Sequence, residues 1–515
     1  MSGGTQAQRD RTLELFAVVA LLAVAALVRF VGLPARGVWD ADQGHDMLVL
    51  LSFVRDGTVP LLGPPTSSGA FHHGALYYYL LAPAAALSDA DPGAVVAAIA
   101  AAGVGAVLAT WWLARAIAGP IAGLVAGGLM ALSAAAIGES TFIWNPNLVP
   151  LSSALTLAAA WRAWSSGWPG WYVAAAAAQA VTMQCHVLGA VLLVPLALIL
   201  VADAQRRPPG ARVAVARAGL AGLLVIAASY IPLLVHELGG GFTETRAALA
   251  FLAAGGDPSA SPVLVRLPVI AVRILSWPLT GLVTDAPLAA LVVVAGIVSI
   301  LVWRGRLATG PERPAVRWLA LTLGWSAVVL AIVAANLATV VPGLPNDHYH
   351  AFLDPVVFVL AGLGAAALWR TGRLPMRVAA GTAIAALIAF NVATWPAAVS
   401  PDGGWPAARD AAARIQRAAG GARLDLLGLP GFKSTDAYGF PLTRAGQPMS
   451  TPTDLAASPS DALVIICDRL FEPAIGAACG GPAEAAVVAS RSAGLTLRDR
   501  FDASPRTSIS VYTLR

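Results

Sequence analysis

The sequence predicts an α-helical polytopic membrane protein with a small C-terminal α/β domain, and three observations carry that reading. Of 515 residues, 57% are hydrophobic and only 12% are charged, and the mean hydropathy is +0.72. A soluble globular chain does not have this composition. Apolar runs of about 18 residues or more recur along the chain, the length a helix needs to cross a hydrocarbon core. After Trp395 that pattern stops and shorter segments replace it.

Taken in order, the runs place about eleven spans, near 13–33, 93–115, 119–137, 148–165, 169–185, 187–204, 214–236, 283–303, 317–338, 351–369 and 377–396. The first lacks the small-residue cleavage site of a signal peptide and reads as a retained span. Arginine position checks the count independently. Arg9, Arg11, Arg115, Arg162, Arg206, Arg207, Arg212, Arg217, Arg304, Arg306, Arg313, Arg317, Arg370, Arg373 and Arg377 all fall on one face. The positive-inside rule makes that face cytoplasmic. The expectation is a plasma-membrane protein with a cytoplasmic N-terminus. Its transmembrane part covers 1–397, and an extracytoplasmic domain covers 398–515. The net charge of +5 then reflects orientation in the membrane and not nucleic-acid binding.

Within the C-terminal part, WPAARDAAARIQRAAGG reads as an amphipathic helix ended by glycines. RLDLLGL, ALVIICD, LTLRDRF and TSISVYTL read as short strands, and ALVIICD is too short to span a membrane. No glycine-rich phosphate loop precedes a helix there, so the default role is to support the site or guide an acceptor. Cys467 and Cys479, twelve positions apart, suit a disulfide in an oxidising compartment. Cys185, in an apolar segment, reads as a small buried residue.

Polar residues gather on the opposite face from the arginines. The first external loop, 34–91, carries Asp40, Asp42, His45, Asp46, Arg55, Asp56, His72 and His73. Ionisable groups are costly beside a membrane, so this concentration marks the loop as the active site. Asp42 and Asp46 share one face if the segment after Asp40 is helical, and MLVLLSF gives that helix an apolar side for a membrane surface. The same face holds the turn from Glu139 to Asn147, His186 at a span junction, the loop 237–282 and the segment from Pro345 to His350.

In Asp42-Gln43, Gly57 and His73-Gly74-Ala75-Leu76-Tyr77-Tyr78 the loop resembles the membrane-embedded GT-C glycosyltransferases that use polyprenyl-phosphate sugars. Protein O-mannosyltransferases and the lipid A aminoarabinose transferase belong to that family. Its pattern is an acidic pair opening a surface helix, a later glycine, and a basic-Pro-Pro-Leu-Tyr-Tyr type motif. Gln43 departs from it at the second acid and His73 at the cation. The resemblance implies an inverting transfer of a sugar from a polyprenyl-phosphate donor to an acceptor hydroxyl on the extracytoplasmic face, with Asp42 at the position of the family's acid.

Phosphate leaves without a strong general acid, so a single carboxylate suffices as base, unlike the carboxyl pair of glycoside hydrolysis. Asp42 is the expected base, against the alternative of a simple helix cap. Asp40 is the expected cap or an auxiliary acid, and Asp46 orients an acceptor or pairs with a cation. His72, His73, His348 and His350 are candidates for the donor's phosphate, as imidazolium or by N–H donation. Interfacial anchoring is the alternative for the last two. Tyr77 and Tyr78 read mainly as packing residues, one of which meets the lipid phosphate. Asn145 and Asn147 either bond sugar or phosphate or cap the fourth span. Gln184 and His186 read as a structural pairing at a span end. No cofactor is required, and a divalent metal is not favoured, because the histidines lack ligand spacing.

The expected partners are a polyprenyl-phosphate-linked sugar, an acceptor glycan, lipid or protein, and membrane lipids, with no nucleic acid. A transporter or flippase for a similar lipid is the alternative class, as is a non-catalytic lipid-binding relative. Transporters place polar residues at the midplane of symmetric halves. Here the polar residues cluster at one face and the halves look unlike.

Overall fold

The computed structural model describes residues 2–66, 70–253, 261–339, 346–450, 460–491 and 494–514. The helices that coincide with the apolar runs are α1 (Ser2–Phe30), α5 (Pro92–Ala118), α6 (Pro120–Leu132), α8 (Val149–Ser166), α9 (Gly170–Cys185), α10 (Leu193–Arg206), α11 (Pro209–Ser229), α15 (Pro287–Leu307), α16 (Glu312–Val333), α17 (Asp354–Arg370) and α18 (Leu374–Ala393). Further helices lie between them: α2 (Leu33–Arg36), α3 (Ala41–Asp56), α4 (Leu76–Leu87), α7 (Ala134–Gly138), α12 (Ile231–Gly240), α13 (Thr243–Ala253) and α14 (Val263–Thr280). The breaks follow local chemistry. Gly57 ends α3 in the left-handed region at φ 70°, and Gly119 at φ 87° separates α5 from α6, which Pro120 opens.

Among the described residues nine helices are long and apolar enough to cross a membrane. α17 with its preceding 3-10 turn is the central one, 89% buried against 11% for α11, α15 and α18, which lie at the outside of the bundle. One of the nine, α14, corrects the sequence reading, which left 237–282 as a loop. Arg266, Arg273, Pro268 and Pro278 interrupt its apolar run and hide the helix. Its polar contacts tie it to several other elements. Arg273, in its middle, pairs with Asp347 at 2.6 Å and donates to the carbonyl of Leu337 at 2.6 Å. The carbonyls of Pro278 and Leu279 accept from Ser133 and Asn391, at the ends of α6 and α18. Apart from α14, the remaining eight helices together with α6, α8 and α9 coincide with the eleven segments read from hydropathy.

The C-terminal part follows the sequence reading closely. α19 (Gly404–Ala419) precedes β1 (Leu424–Leu429), α20 (Asp436–Arg444), β2 (Ala462–Asp468), β3 (Leu495–Asp502) and β4 (Thr507–Leu514). The sheet order is β1-β2-β4-β3, parallel only between β1 and β2, where α20 forms part of the crossover. ALVIICD is the buried central strand β2. Cys467, at its end, is joined to Cys479, while Cys185 is free and buried. Denatured but unreduced protein is therefore expected to take up a single alkyl group, rising to three after reduction, as intact mass would record.

This domain sits directly on the first loop. A Cβ on Gly44 of α3 would fall 2.2 Å from the backbone of Asp436 in α20, so only glycine permits the approach. Trp39 donates to the carbonyl of Ala437 at 2.8 Å and packs against Trp405 with ring centroids 4.6 Å apart. Arg444 adds an ion pair to Asp91 at 3.4 Å.

Candidate functional site

The head of α3 sorts three carboxylates into three jobs. Asp40, with extended backbone, accepts from the Ala41 N–H at 2.8 Å, and Gln43 returns the bond by accepting from the Asp40 N–H at 2.9 Å. This capping box gives Gln43 a structural reason to be there. Its other end donates to the carbonyl of Ile143 at 2.9 Å, tying α3 to the turn before α8. Asp46, one turn on, is buried and accepts from the hydroxyls of Tyr77 and Tyr78, each at 2.8 Å. Burial raises its pKa to about 7, against the opposing pull of the two hydroxyls. Tyr77 and Tyr78, expected in part at a lipid phosphate, are fully buried and spend their hydroxyls on Asp46.

Asp42 is the carboxylate left over. It is exposed into a cavity of ≈ 230 Å³ and accepts no hydrogen bond among the described residues. Protein surrounds it on the other sides, so desolvation raises its pKa, and the nearby charge of Asp40 raises it further. His45, also at the cavity, bonds to Asp436 of the C-terminal domain at 3.2 Å, and that bond raises the imidazole's pKa.

The far wall of the cavity is aromatic and comes from distant parts of the chain. His73 and His186 have ring centroids 5.0 Å apart, and His186 and His348 lie 5.8 Å apart. The His348 ring centroid lies 4.2 Å from that of Trp144 and 4.4 Å from that of Tyr349. The Nδ1 of His73 accepts from the Val187 N–H, and that of His186 from the Leu188 N–H, both at 3.3 Å. Burial holds the pKa of His73 well below the ordinary value and that of His186 down to about 3. Both rings are therefore neutral, with Nε2 carrying the proton. Of the two forms the sequence left open for His73, imidazolium or N–H donor, these surroundings favour the N–H donor.

The remaining candidates divide. Asn145 lines the cavity and donates to the carbonyl of Cys185 at 2.6 Å. Asn147 donates to the carbonyl of Phe142 at 2.9 Å, a structural bond within its own turn. His72 is bound to Glu244 of α13, by its backbone N–H at 2.7 Å and its ring at 3.1 Å. His350 is fully buried against Asp347 at 3.1 Å, away from the cavity wall. Among the described residues no group of three or more His, Cys, Asp or Glu is placed to hold a metal ion.

His186, read as a span-end pairing, bonds the Leu188 N–H and also lines the cavity, while sequence reasoning missed Trp144, Tyr349 and the two arginines of α14. Arg273 is buried in its ion pair with Asp347. Arg266, seven residues earlier and on the same helix face, is buried, and its Nε and Nη1 have no hydrogen-bond partner among the described residues. The signal was there in retrospect, since a charge inside an amphipathic apolar stretch needs a reason.

No family model and no curated protein matches the sequence. Solved structures do. ArnT from Cupriavidus metallidurans in the apo state aligns at 14% identity and a TM-score of 0.59 over 96% of this chain and 97% of that one. The chain has an ArnT-like fold. The same ArnT bound to undecaprenyl phosphate aligns at 15% identity and a TM-score of 0.60 over the same shares of both chains. The ArnT likeness covers the C-terminal sheet domain as well as the helical bundle.

Proposed function

We propose that the chain is an inverting glycosyltransferase that moves a sugar from a polyprenyl-phosphate donor to an acceptor hydroxyl at the extracytoplasmic face. One observation carries the reading: of the three carboxylates at the head of α3, only Asp42 has no hydrogen-bond partner among the described residues, and it opens into the cavity. The likeness to an ArnT structure bound to undecaprenyl phosphate supports the donor class. In the proposed step the acceptor O–H gives its proton to Asp42 as the oxygen bonds the anomeric carbon. The bond from that carbon to the phosphate oxygen breaks, and its electron pair leaves with the lipid phosphate. A base of this kind contributes about 10²–10⁴-fold. Mass spectrometry of lipid co-purifying with the protein tests the donor. A polyprenyl-phosphate sugar is expected, and its consistent absence from active preparations would refute the assignment.

The described cavity wall contains no arginine or lysine. Arg266, with unbonded nitrogens on the face of α14 that carries Arg273, is the proposed counter-charge for the donor's phosphate. Arg266→Gln is expected to weaken donor binding about 10-fold or more, with turnover at saturating donor changed less. Equal donor affinity in the variant would remove Arg266 from the site.

The pH dependence follows from sign. A base must be ionised, so activity rises as pH rises through the pKa of Asp42, which burial and Asp40 lift above the ordinary carboxylate value. The acidic limb of the kcat/KM profile is expected above about pH 4 and absent from the residual activity of Asp42→Asn. Orientation is part of the same proposal: a reporter fused after Arg515 is expected outside the cytoplasm, and a cytoplasmic signal would reverse the site's placement.

A further inference from the structure

At the other end of the bundle, α8, α10 and α16 enclose a second cavity, of ≈ 360 Å³. Its floor is Trp161, Trp164 and Trp318, with ring centroids 6.5 and 6.4 Å from Trp161 to the other two. Leu198 and Leu321, each 44% exposed, leave one side open to hydrocarbon. At the rim stand Arg313 and Arg317, one turn apart on α16 and exposed.

The neighbouring arginines are committed. Arg206 and Arg207 each pair with Asp203 at 2.7 Å, and Arg304 and Arg370 pair with Glu312 at 2.7 and 2.8 Å. Arg313 and Arg317 make no hydrogen bond or ion pair among the described residues. Trp161 adds an independent sign. It is 1% exposed, lines the cavity, and its indole N–H has no partner, whereas that of Trp318 donates to the Pro195 carbonyl at 3.0 Å. A buried indole N–H usually finds an acceptor.

We propose that this cavity binds one anionic phospholipid. Its phosphodiester lies between Arg313 and Arg317, an acyl chain covers the tryptophan floor, and an ester oxygen meets the Trp161 N–H. Two free guanidinium groups beside an apolar, lipid-open slot select a ligand with an anionic head and a hydrocarbon tail. A soluble anion satisfies the rim but not the floor, and a zwitterionic lipid brings to the rim, beside the same phosphodiester, a cation that two guanidinium groups repel. The assignment is independent of the chemistry at the opposite end.

Native mass spectrometry of the full chain in detergent tests it. With phosphatidylglycerol and phosphatidylcholine at equal concentration, the protein is expected to retain the anionic lipid about 10-fold or more over the zwitterionic one. Arg313→Gln with Arg317→Gln should bring that ratio near unity with an unchanged thermal midpoint in lipid-free detergent. Equal retention by the parent protein, or an undiminished preference in the double variant, would overturn the proposal. So would displacement of the lipid by millimolar inorganic phosphate. Should the double variant not fold, tryptophan quenching in the parent decides: brominated phosphatidylglycerol must quench more than brominated phosphatidylcholine, and equal quenching refutes the site.

Discussion

Asp42→Asn is expected to lower turnover by about 10²-fold or more while donor binding stays near that of the parent. Asparagine keeps size and hydrogen bonding and removes only basicity, so the loss belongs to the proton transfer. By transition-state arithmetic that is about 2.7 kcal/mol of barrier. The neighbouring substitutions separate the roles. Asp40→Asn leaves a competent cap and is expected to cost less, since Asp40 caps α3 through the Ala41 N–H. Asp46→Asn removes one of two acceptors for buried tyrosine hydroxyls and is expected to lower thermal stability as well as rate. The readouts are single-turnover transfer, donor binding and melting temperature. Near-parent turnover in Asp42→Asn would move the base elsewhere.

Gly44→Ala is the second large effect. The added methyl would lie 2.2 Å from the carbonyl carbon and oxygen of Asp436, so α20 must retreat by roughly 1 Å or more to reach ordinary contact. Trp39 and His45 then lose their partners on the same helix, Ala437 and Asp436. A displacement of that size at a reacting centre costs about 10²-fold in rate. The expected result is a comparable loss of turnover, together with faster proteolysis between α18 and α19. Asp436→Asn, which weakens only the His45 bond, should be much milder. An alanine variant with parental activity and protease resistance would show that the domain's docking is not part of the site.

Much of the architecture was legible because it rests on periodicity and length. The helical segments follow the apolar runs, and RLDLLGL, ALVIICD, LTLRDRF and TSISVYTL each become a strand. α14 was not legible, because two arginines and two prolines broke its run while its amphipathic face was satisfied by Asp347. Asp40 as cap was readable from its residue type and position. Gln43 read as a departure from a family pattern, and only the reciprocal bond to Asp40 explains it. The place of His186 on the cavity wall was not legible for a general reason: burial of a polar group suggests pairing, and sequence cannot show which buried groups share a cavity wall. Gly44 carried no signal at all, since a glycine inside a helix is unremarkable until its neighbour is known.

The fixed tautomers of His73 and His186 give the pocket a polarity of its own. Each ring has its acceptor nitrogen occupied by a backbone N–H, and each stays uncharged. What these two rings can offer a ligand is donors only. A ligand face set against them must answer with lone pairs, as ring and hydroxyl oxygens do. A protonated amine in the same place would bring donors to donors.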